Sequence, residues 1–240
     1  MRLVLVTVLI GVAAATAPVL AQQAAPLPSS IRVTGDSKLT AQPDRVQIDI
    51  GVTTRATRSA EAAAQNAHEV EAVLAAVKKA AGPAAVLKTV SYSVTPNYQY
   101  HPNGVEPTIT GYTAANVVQV TLDELAKTGS VIDSATQSGA NHVQGIQFTL
   151  RDQDAVRAQA LREAAVRARA QAEVLAGALG LKIVRVLSVE ENSPRIMPVR
   201  AFAAAPRAAA SAEVVTPVEA GTLDITAEVT LTVEVAPAAR

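Results

Sequence analysis

Two segments of this chain carry the same narrow stripe of small apolar residues, spaced for one face of an α-helix. Both stripes advance by steps of 4-3-4-3-4 with charged residues elsewhere: Ala63, Ala67, Val70, Leu74, Val77 and Ala81 form the first, and Leu161, Ala165, Ala168, Ala172, Leu175 and Leu179 form the second. Each stripe spans only about three heptads and lacks the large residues of a coiled-coil seam. We therefore predict two amphipathic helices that pack on a sheet.

Each of these helices follows one predicted strand and precedes two more. Alternation of apolar and polar residues predicts half-buried strands at 46–52 and 222–235. Two extended runs, 86–100 and 109–122, are joined by a loop with Pro, Asn and Gly, which predicts a hairpin. Further elements are expected as strands at 31–35, 143–150 and 182–190, and as an extra helix at 123–137.

The order strand-helix-strand-strand therefore occurs twice, at 46–122 and at 143–235. It predicts an α+β fold of two related strand-helix-strand-strand units forming sheet–helix layers, with the extra helix between them. We expect the first α+β unit at 31–122, and the connecting helix with the second unit at 123–240. Residues 192–220 are rich in Ala and Pro, which predicts a mobile loop.

The first 21 residues have the pattern of a secretory signal peptide that is cleaved near Ala21. Arg2 supplies the positive charge, and an apolar run of about 13 residues follows it. A membrane-spanning helix needs roughly 20 apolar residues, so a retained anchor is the less favoured alternative. We expect an exported chain with a flexible lead-in at 22–30 and no transmembrane segment after cleavage.

Composition excludes several classes of function. The chain has no cysteine, and therefore no disulfide, thiol nucleophile or Cys-ligated metal. Its 21 Lys and Arg balance its 21 Asp and Glu, which disfavours nucleic-acid binding. Arg195, Arg200 and Arg207 are a local exception, since no acidic residue lies between 192 and 210. They are a candidate contact to an anionic membrane or envelope surface, and the alternative is a solvated loop.

The sequence shows no motif for catalysis or metal binding. His68, His101 and His142 have no second ligand at a recurring metal spacing. Asp152 and Asp154 stand at a predicted helix start, where carboxylates act as caps. Nucleophile elbows and phosphate-binding glycine loops are missing too. We expect no catalytic residue, no cofactor and no metal; a triad assembled from distant positions is the alternative.

All four tyrosines, Tyr92, Tyr98, Tyr100 and Tyr112, fall within the predicted hairpin. Tyrosine rings combine a large apolar surface with a polar tip, so they dominate contact energy where they gather. Tyr92, Tyr98 and Tyr100 are separated by even numbers of residues, so an unbroken strand would place them on one face. Pro96 lies between them and predicts that the strand is an edge, contains a bulge or is broken there. These three are the candidate contact surface; the alternative is that they cover the end of the core. We expect Tyr112 in the core.

Short motifs follow one another along the chain in a fixed order. They are Ile31-Arg-Val-Thr-Gly35 before Pro43-Asp44, Thr95-Pro96-Asn-Tyr98-Gln-Tyr100 before Gly111-Tyr112-Thr-Ala-Ala-Asn116, Ser138-Gly139-Ala140-Asn141 before Ile146-Gln-Phe148-Thr-Leu150, and Ala164-Ala165-Val166-Arg167-Ala168 before Leu179-Gly180. In this order they resemble the SIMPL-domain family of exported bacterial proteins, over residues 31–235. The resemblance implies a periplasmic location, a link to oxidative-stress tolerance and, in some members, homo-oligomers. It carries no established catalytic residue.

The sequence thus favours a non-enzymatic periplasmic protein that self-associates as a homo-oligomer and contributes to envelope homeostasis or oxidative-stress tolerance. A periplasmic binding module is the first alternative, with the tyrosines as a stacking platform for a small molecule or an envelope polymer. An unrecognised hydrolase is less favoured.

Overall fold

The computed structural model describes residues 28–102, 106–199 and 216–238. These residues form three α-helices and seven strands in two antiparallel sheets, which confirms the predicted α+β class. The elements are β1 (Ser30–Ala41), β2 (Arg45–Ala56), α1 (Ser59–Ala81), β3 (Val86–Gln99), β4 (Thr108–Leu122), α2 (Thr128–Gln137), β5 (His142–Thr149), α3 (Gln153–Ala178), β6 (Leu181–Val199) and β7 (Thr222–Pro237). The predicted signal peptide at 1–21, most of the lead-in at 22–30, Arg200 and Arg207 lie outside the described residues.

The first layer is a four-stranded sheet in the order β3-β4-β2-β5, with α1 and α2 packed on it. The predicted hairpin is confirmed, because β3 pairs with β4 along its length. Every second residue of β2 and β4 points to the helices, and the core of this layer contains Val46, Ile48, Ile50, Val52, Val118, Val120 and Leu122 against Val70, Val73, Val77 and Val131.

The second layer is a three-stranded sheet in the order β1-β7-β6, with α3 packed on it. The alternation predicted for β7 is confirmed, since the helix-facing residues Leu223, Ile225, Ala227, Val229, Leu231 and Val233 are all buried. The stripe predicted for α3 is partly wrong. The residues that α3 buries are alanines at every fourth position, Ala160, Ala164, Ala168, Ala172 and Ala176, whereas Leu175 and Leu179 are 40% and 65% exposed.

A close approach of α3 to β1 explains this alanine stripe. A Cβ atom at Gly35 would lie 2.3 Å from both the carbonyl oxygen of Ala164 and the backbone nitrogen of Ala168. The helix backbone therefore rests directly on the strand, and only methyl side chains fit between them. Larger residues of the predicted stripe are displaced to the flanks of the helix.

Sheet membership differs from the two predicted units. β1 pairs with β7, so the second sheet is built from the beginning and the end of the described chain. β5 pairs with β2 in the first sheet, and α2 packs against α1. Only residues 42–44 join β1 to β2. Pro43 among them has no N–H for a ladder, and the chain passes there from one sheet to the other instead of forming a hairpin.

An internal repeat is present in three dimensions, with β1 in the place that we predicted for β5. Strands β3-β4-β2 with α1 correspond to β6-β7-β1 with α3. One buried contact is repeated as well: the hydroxyl of Thr54 donates to the carbonyl oxygen of Ala62 at 2.7 Å, and that of Ser37 donates to the carbonyl oxygen of Ala160 at 2.7 Å. In both layers a strand hydroxyl thus fixes the covering helix.

The predicted loop at 192–220 is strand over its first eight residues, because β6 continues to Val199. β6 is an outer strand of its sheet, where proline is tolerated without loss of a ladder hydrogen bond. Pro194 falls in a bulge between Asn192 and Arg195, and Pro198 pairs with Leu223. The composition of this segment suggested irregular structure, but an edge position accommodates it as strand.

Candidate functional site

The tyrosine-bearing strand β3 is the outermost strand of the first sheet. β4 pairs with one of its sides, and no described strand pairs with the other. Pro96 lies within β3 opposite Tyr112 and has no N–H to donate, which an edge strand tolerates. Pro96 predicted an edge, a bulge or a break, and the structure shows an edge strand with a register shift between Asn97 and Tyr98. β3 therefore offers backbone groups for pairing with another strand.

The three candidate tyrosines are exposed to solvent. Tyr92 is 56% exposed, Tyr98 51% and Tyr100 78%. Tyr92 and Tyr98 lie in β3 and share one face, whereas Tyr100 follows the last residue of the strand. Tyr112, which we expected in the core, is only half-buried opposite Pro96. The candidate rings are thus available for contact in the described part of the chain.

The end of the hairpin projects past the rest of its sheet. β2 pairs with β4 only from Tyr112 onward, so residues 108–111 of β4 pair with β3 alone. Ile109 lies opposite Tyr98 in this two-stranded ribbon and is 51% exposed. Sequence reasoning missed Ile109, although the hairpin register could have placed it beside a tyrosine. We name the combined surface the aromatic edge: Tyr92, Tyr98, Tyr100 and Ile109.

Polar contacts hold the base of this ribbon in one orientation. The Thr113 hydroxyl donates to Oδ1 of Asn97 at 2.8 Å, and the Thr110 hydroxyl donates to the carbonyl oxygen of Asn97 at 3.2 Å. Gly111 permits close approach to β2, because a Cβ atom there would lie 2.8 Å from the carbonyl oxygen of Ala56. The aromatic edge is therefore presented on a fixed support, which lowers the entropy lost on binding.

The candidate arginine surface is not assembled by the described residues. Arg195 is exposed in β6 opposite Thr226, while Arg200 and Arg207 lie outside the described ranges. A crevice of about 750 Å³ beside Arg195 is also lined by Lys38 and by the acidic Asp36 and Glu228. Acidic and basic groups are thus mixed here, and this crevice does not present a purely positive surface to an anion.

Two carboxylates of the described chain, Asp123 and Asp224, are held in ion pairs. The hydrogen bond from Arg45 holds the pKa of Asp123 below its ordinary value, and that from Lys38 does the same for the pKa of Asp224. Across residues 28–102, 106–199 and 216–238, no three His, Asp or Glu side chains are grouped to hold a metal ion. The same residues contain no helix with the length and apolarity to cross a membrane.

Comparison with known proteins agrees with the motifs in the sequence. The SIMPL family, described as a protein of unknown function (DUF541), matches residues 31–233. The 26 kDa periplasmic immunogenic protein of Brucella melitensis is 33% identical over 174 residues, which cover 71% of this chain and 70% of that protein. The uncharacterized protein YggE is 28% identical in Edwardsiella ictaluri (78% of this chain, 80% of that protein) and 26% identical in Escherichia coli K12 (75% and 73%). With the family matched over nearly all the described residues, this chain belongs to the SIMPL family.

Proposed function

We propose that this chain is a non-enzymatic periplasmic protein that self-associates through the aromatic edge and thereby contributes to envelope homeostasis or oxidative-stress tolerance. The observation that carries the proposal is the exposure of Tyr98, Tyr100 and Ile109 on a ribbon that projects from a free strand edge. The name of the Brucella melitensis relative and the signal-like first 21 residues support the location.

Physical reasons favour a protein partner for this ribbon. A two-stranded ribbon is marginally stable in water by itself, so burial against another surface stabilises it. Tyrosine is enriched among the residues that carry most of the binding energy in protein interfaces. The unpaired side of β3 adds backbone donors and acceptors, which a strand from a second copy satisfies.

Light scattering of the chain without residues 1–21 tests self-association directly. We expect a mass above that of one chain at micromolar concentration. The double variant Tyr98→Ser/Tyr100→Ser should shift the equilibrium toward the single chain by about tenfold or more, because two interface aromatics are lost. Val166→Ser on α3, where Val166 is 63% exposed, is the matched control and should leave the mass unchanged. A double variant that retains the full mass would reject the aromatic edge as the contact.

The stress role is tested in cells of the source bacterium. Deletion of the gene should lower survival in peroxide, and the unaltered chain should restore it. If assembly is required, the variant Tyr98→Ser/Tyr100→Ser restores survival poorly at equal protein level. Equal rescue by both chains would separate the stress role from the aromatic edge.

A second candidate function is a binding module in which the tyrosines stack on a small molecule or an envelope polymer. The exposure of Tyr100, at 78%, favours it, since a ring so exposed has a face available for stacking. The chain has no tryptophan, so its fluorescence reports on the four tyrosines alone. Quenching by soluble peptidoglycan fragments, lost in Tyr100→Ser, would support binding; unchanged emission and unfolding temperature would reject it for that polymer.

A further inference from the structure

The outer strand of the second layer exposes a run of large aliphatic side chains. In β6, Val184 is 53% exposed, Val186 52%, Leu187 37% and Val189 61%. Two of these residues are extruded from the ladder, because the pairing with β7 skips Val184 and Leu187. Aliphatic residues at this density on an edge strand are typical of a surface that another chain covers.

The position of α3 explains why this surface is open. α3 lies mainly over β1 and β7, so Val186 and Val189 on the helix-facing side of β6 stay exposed, although Ile183 on the same side packs partly against the core. A groove of about 540 Å³ remains between α3 and β6, with Ile183, Val186, Leu231 and Val233 among its lining residues. In the internal repeat β6 corresponds to β3, so the same strand is outermost in both layers.

Charges at the rim of the groove are already neutralised. Arg169 contacts Glu173 at 3.0 Å, and Arg185 contacts Glu234 at 2.6 Å. A ligand with a charged group therefore finds no free counter-charge among these four residues, and the apolar surface is what remains for recognition.

The sequence of β6 is complementary to itself in the antiparallel direction. Basic Lys182 stands near the beginning of the strand, acidic Glu190 and Glu191 stand eight and nine residues later, and the residues between are mainly apolar. An antiparallel copy of the same segment places its basic end beside the acidic end of the first. Glu190 already pairs with Arg32 of its own chain at 3.0 Å, but its side chain is 60% exposed, so a second oxygen of its carboxylate is open to another cation. Charge and apolar pattern both match a second β6.

We infer that β6 forms a two-fold interface between two copies of this chain. The inference rests on the self-association proposed above, and it adds a second contact to the aromatic edge. Val186 lies at the two-fold axis, opposite Val186 of the second copy. Ile183 then lies opposite Val189 of the second copy, and Lys182 lies opposite Glu190 of the second copy. The pairs agree in face, since Ile183, Val186 and Val189 oppose the helix-facing residues Val235, Val233 and Leu231 of β7. Lys182 and Glu190 oppose Ala236 and Thr230 on the other face.

Side chains provide most of this contact. The bulges at Val184 and Leu187 interrupt a regular ladder, which also protects the edge against indiscriminate strand addition. A two-fold contact uses the same patch on both copies and closes after two chains. Combined with the aromatic edge, it gives each chain two different contacts, which permits assemblies larger than a dimer.

The absence of cysteine from the chain allows a direct test by disulfide trapping. Residues opposite each other at a two-fold strand contact lie within the Cα distance that a disulfide spans. Under mild oxidation Val186→Cys should become mostly covalent dimer. Val174→Cys, on a side chain of α3 that is 70% exposed, should stay mostly single-chain. A mixture of Ile183→Cys and Val189→Cys should yield the mixed dimer more than either variant alone.

Charge reversal tests the direction of pairing. Lys182→Glu should weaken the dimer about tenfold, since two attractive pairs become repulsive, and Lys182→Glu/Glu190→Lys should recover it. The two-fold interface is overturned if Val186→Cys forms no more covalent dimer than Val174→Cys. It is also overturned if the double reversal does not recover the dimer that Lys182→Glu weakens. If the protein is a single chain in solution and co-sediments with vesicles of phosphatidylethanolamine and phosphatidylglycerol in a manner that depends on Val186, the exposed face of β6 binds lipid and the two-fold interface is overturned.

The two contacts are distinguished by combining the variants. Val186→Cys in the Tyr98→Ser/Tyr100→Ser background should still trap the dimer, because the contacts lie in different layers. If the covalent dimer forms in this background, and the tyrosine substitutions leave the mass measured by light scattering unchanged, the aromatic edge is rejected and the β6 interface is supported. If Val186→Cys does not form the covalent dimer, while the mass of the assembly still depends on Tyr98 and Tyr100, the β6 interface is rejected and the aromatic edge is retained.

Discussion

At the scale of single residues, Gly35 shows how one missing side chain sets the spacing of a whole layer. Its Cα faces the backbone of α3, and an added methyl group would lie 2.3 Å from backbone atoms of Ala164 and Ala168. Backbone atoms cannot rotate away as a side chain can, so the helix itself must move. We expect Gly35→Ala to lower the free energy of unfolding by about 3 kcal/mol, measured by urea denaturation followed by circular dichroism.

Gly145 offers the matched control for Gly35. It also lies in a strand, β5, but no atom stands within 4 Å of its added Cβ position. Gly145→Ala should therefore change the free energy of unfolding by less than about 1 kcal/mol. Equal stability of the two variants would show that α3 is not in contact with β1 at Gly35.

Asp123 is one residue through which pH acts on the fold. Its carboxylate accepts from Arg45 at 2.7 Å and lies 3.2 Å from Arg151, and the hydrogen bond from Arg45 together with these charges holds the pKa of Asp123 below its ordinary value. The lowered pKa means that the folded state binds this proton less readily than the unfolded state. The stabilisation is therefore fully present above the ordinary pKa and is lost as pH falls through the folded value.

We expect Asp123→Asn to cost about 0.5–1 kcal/mol at pH 7 and progressively less toward pH 3. The cost is small because the pair is partly exposed and screened by solvent. Urea unfolding at several pH values measures it, with Glu124→Gln as control, since Glu124 pairs only with the nearby Lys127 at 2.9 Å. A cost that does not change with pH would assign the effect to packing instead of charge.

At the scale of secondary-structure elements, the start of α3 agrees with the sequence and the start of α1 does not. Asp152 accepts from the backbone N–H of Ala155 at 2.9 Å, which confirms the predicted cap. Serine favours the cap position, but Ser59 is the first residue of α1, and Arg58 holds the cap position without a side-chain cap bond. Glu61 contacts Arg58 with its carboxylate at 2.8 Å, so local charge pairing replaces the cap.

Removal of the α3 cap should be measurable. We expect Asp152→Ala to cost about 1 kcal/mol in the free energy of unfolding, because the N–H of Ala155 loses its acceptor. Asp152→Asn should retain most of the stability, since asparagine caps nearly as well. Asp154→Ala removes a neighbouring carboxylate that is 96% exposed and should have little effect. A loss for Asp154→Ala equal to that for Asp152→Ala would assign the effect to the helix dipole.

Strand cores were predicted more accurately than helix cores, for a geometric reason. A strand has only two faces, so the alternation of apolar and polar residues in β7 identifies which face is buried. All six apolar residues of that alternation, from Leu223 to Val233, are buried. A helix face can rotate by one residue without breaking an apolar stripe. α1 buries Ala62 and Asn66 in place of the predicted Ala63 and Ala67. Asn66 is accommodated because its amide donates to the carbonyl oxygens of Val52 and Ala114, contacts that no local pattern encodes.

At the scale of the whole molecule, the sequence predicted the fold class and the hairpin, but not which strands share a sheet. Local periodicity reports whether a residue faces a core, and says nothing about its partner strand. Paired residues of β1 and β7 are 182 to 204 positions apart in the sequence, from Ala41 opposite Leu223 to Ser30 opposite Glu234, so their pairing depends on the closed tertiary structure. The same limit hid Ile109, whose neighbour Tyr98 lies across the hairpin.

The segment before β7 contacts the first layer through polar and apolar groups. The hydroxyl of Thr216 donates to Asp133 of α2 at 2.6 Å, and Val218 packs against the core of the first layer. Each layer nevertheless has its own apolar core, one around β2 and β4, the other around β7. Separate cores favour independent stability of the layers.

This arrangement predicts which fragments fold. All six elements of the first layer are contiguous in sequence, so residues 44–152 should fold alone and show dispersed amide signals by nuclear magnetic resonance. Residues 123–240, the second unit expected from sequence, lack β1, so β7 loses one of its two neighbouring strands and α3 loses the strand on which it rests; this fragment should remain largely unfolded. A peptide of residues 28–43 should restore their structure, whereas the same peptide with Gly35→Ala should not, because its methyl group meets α3. Independent folding of 123–240 would show that β1 is dispensable for the second layer.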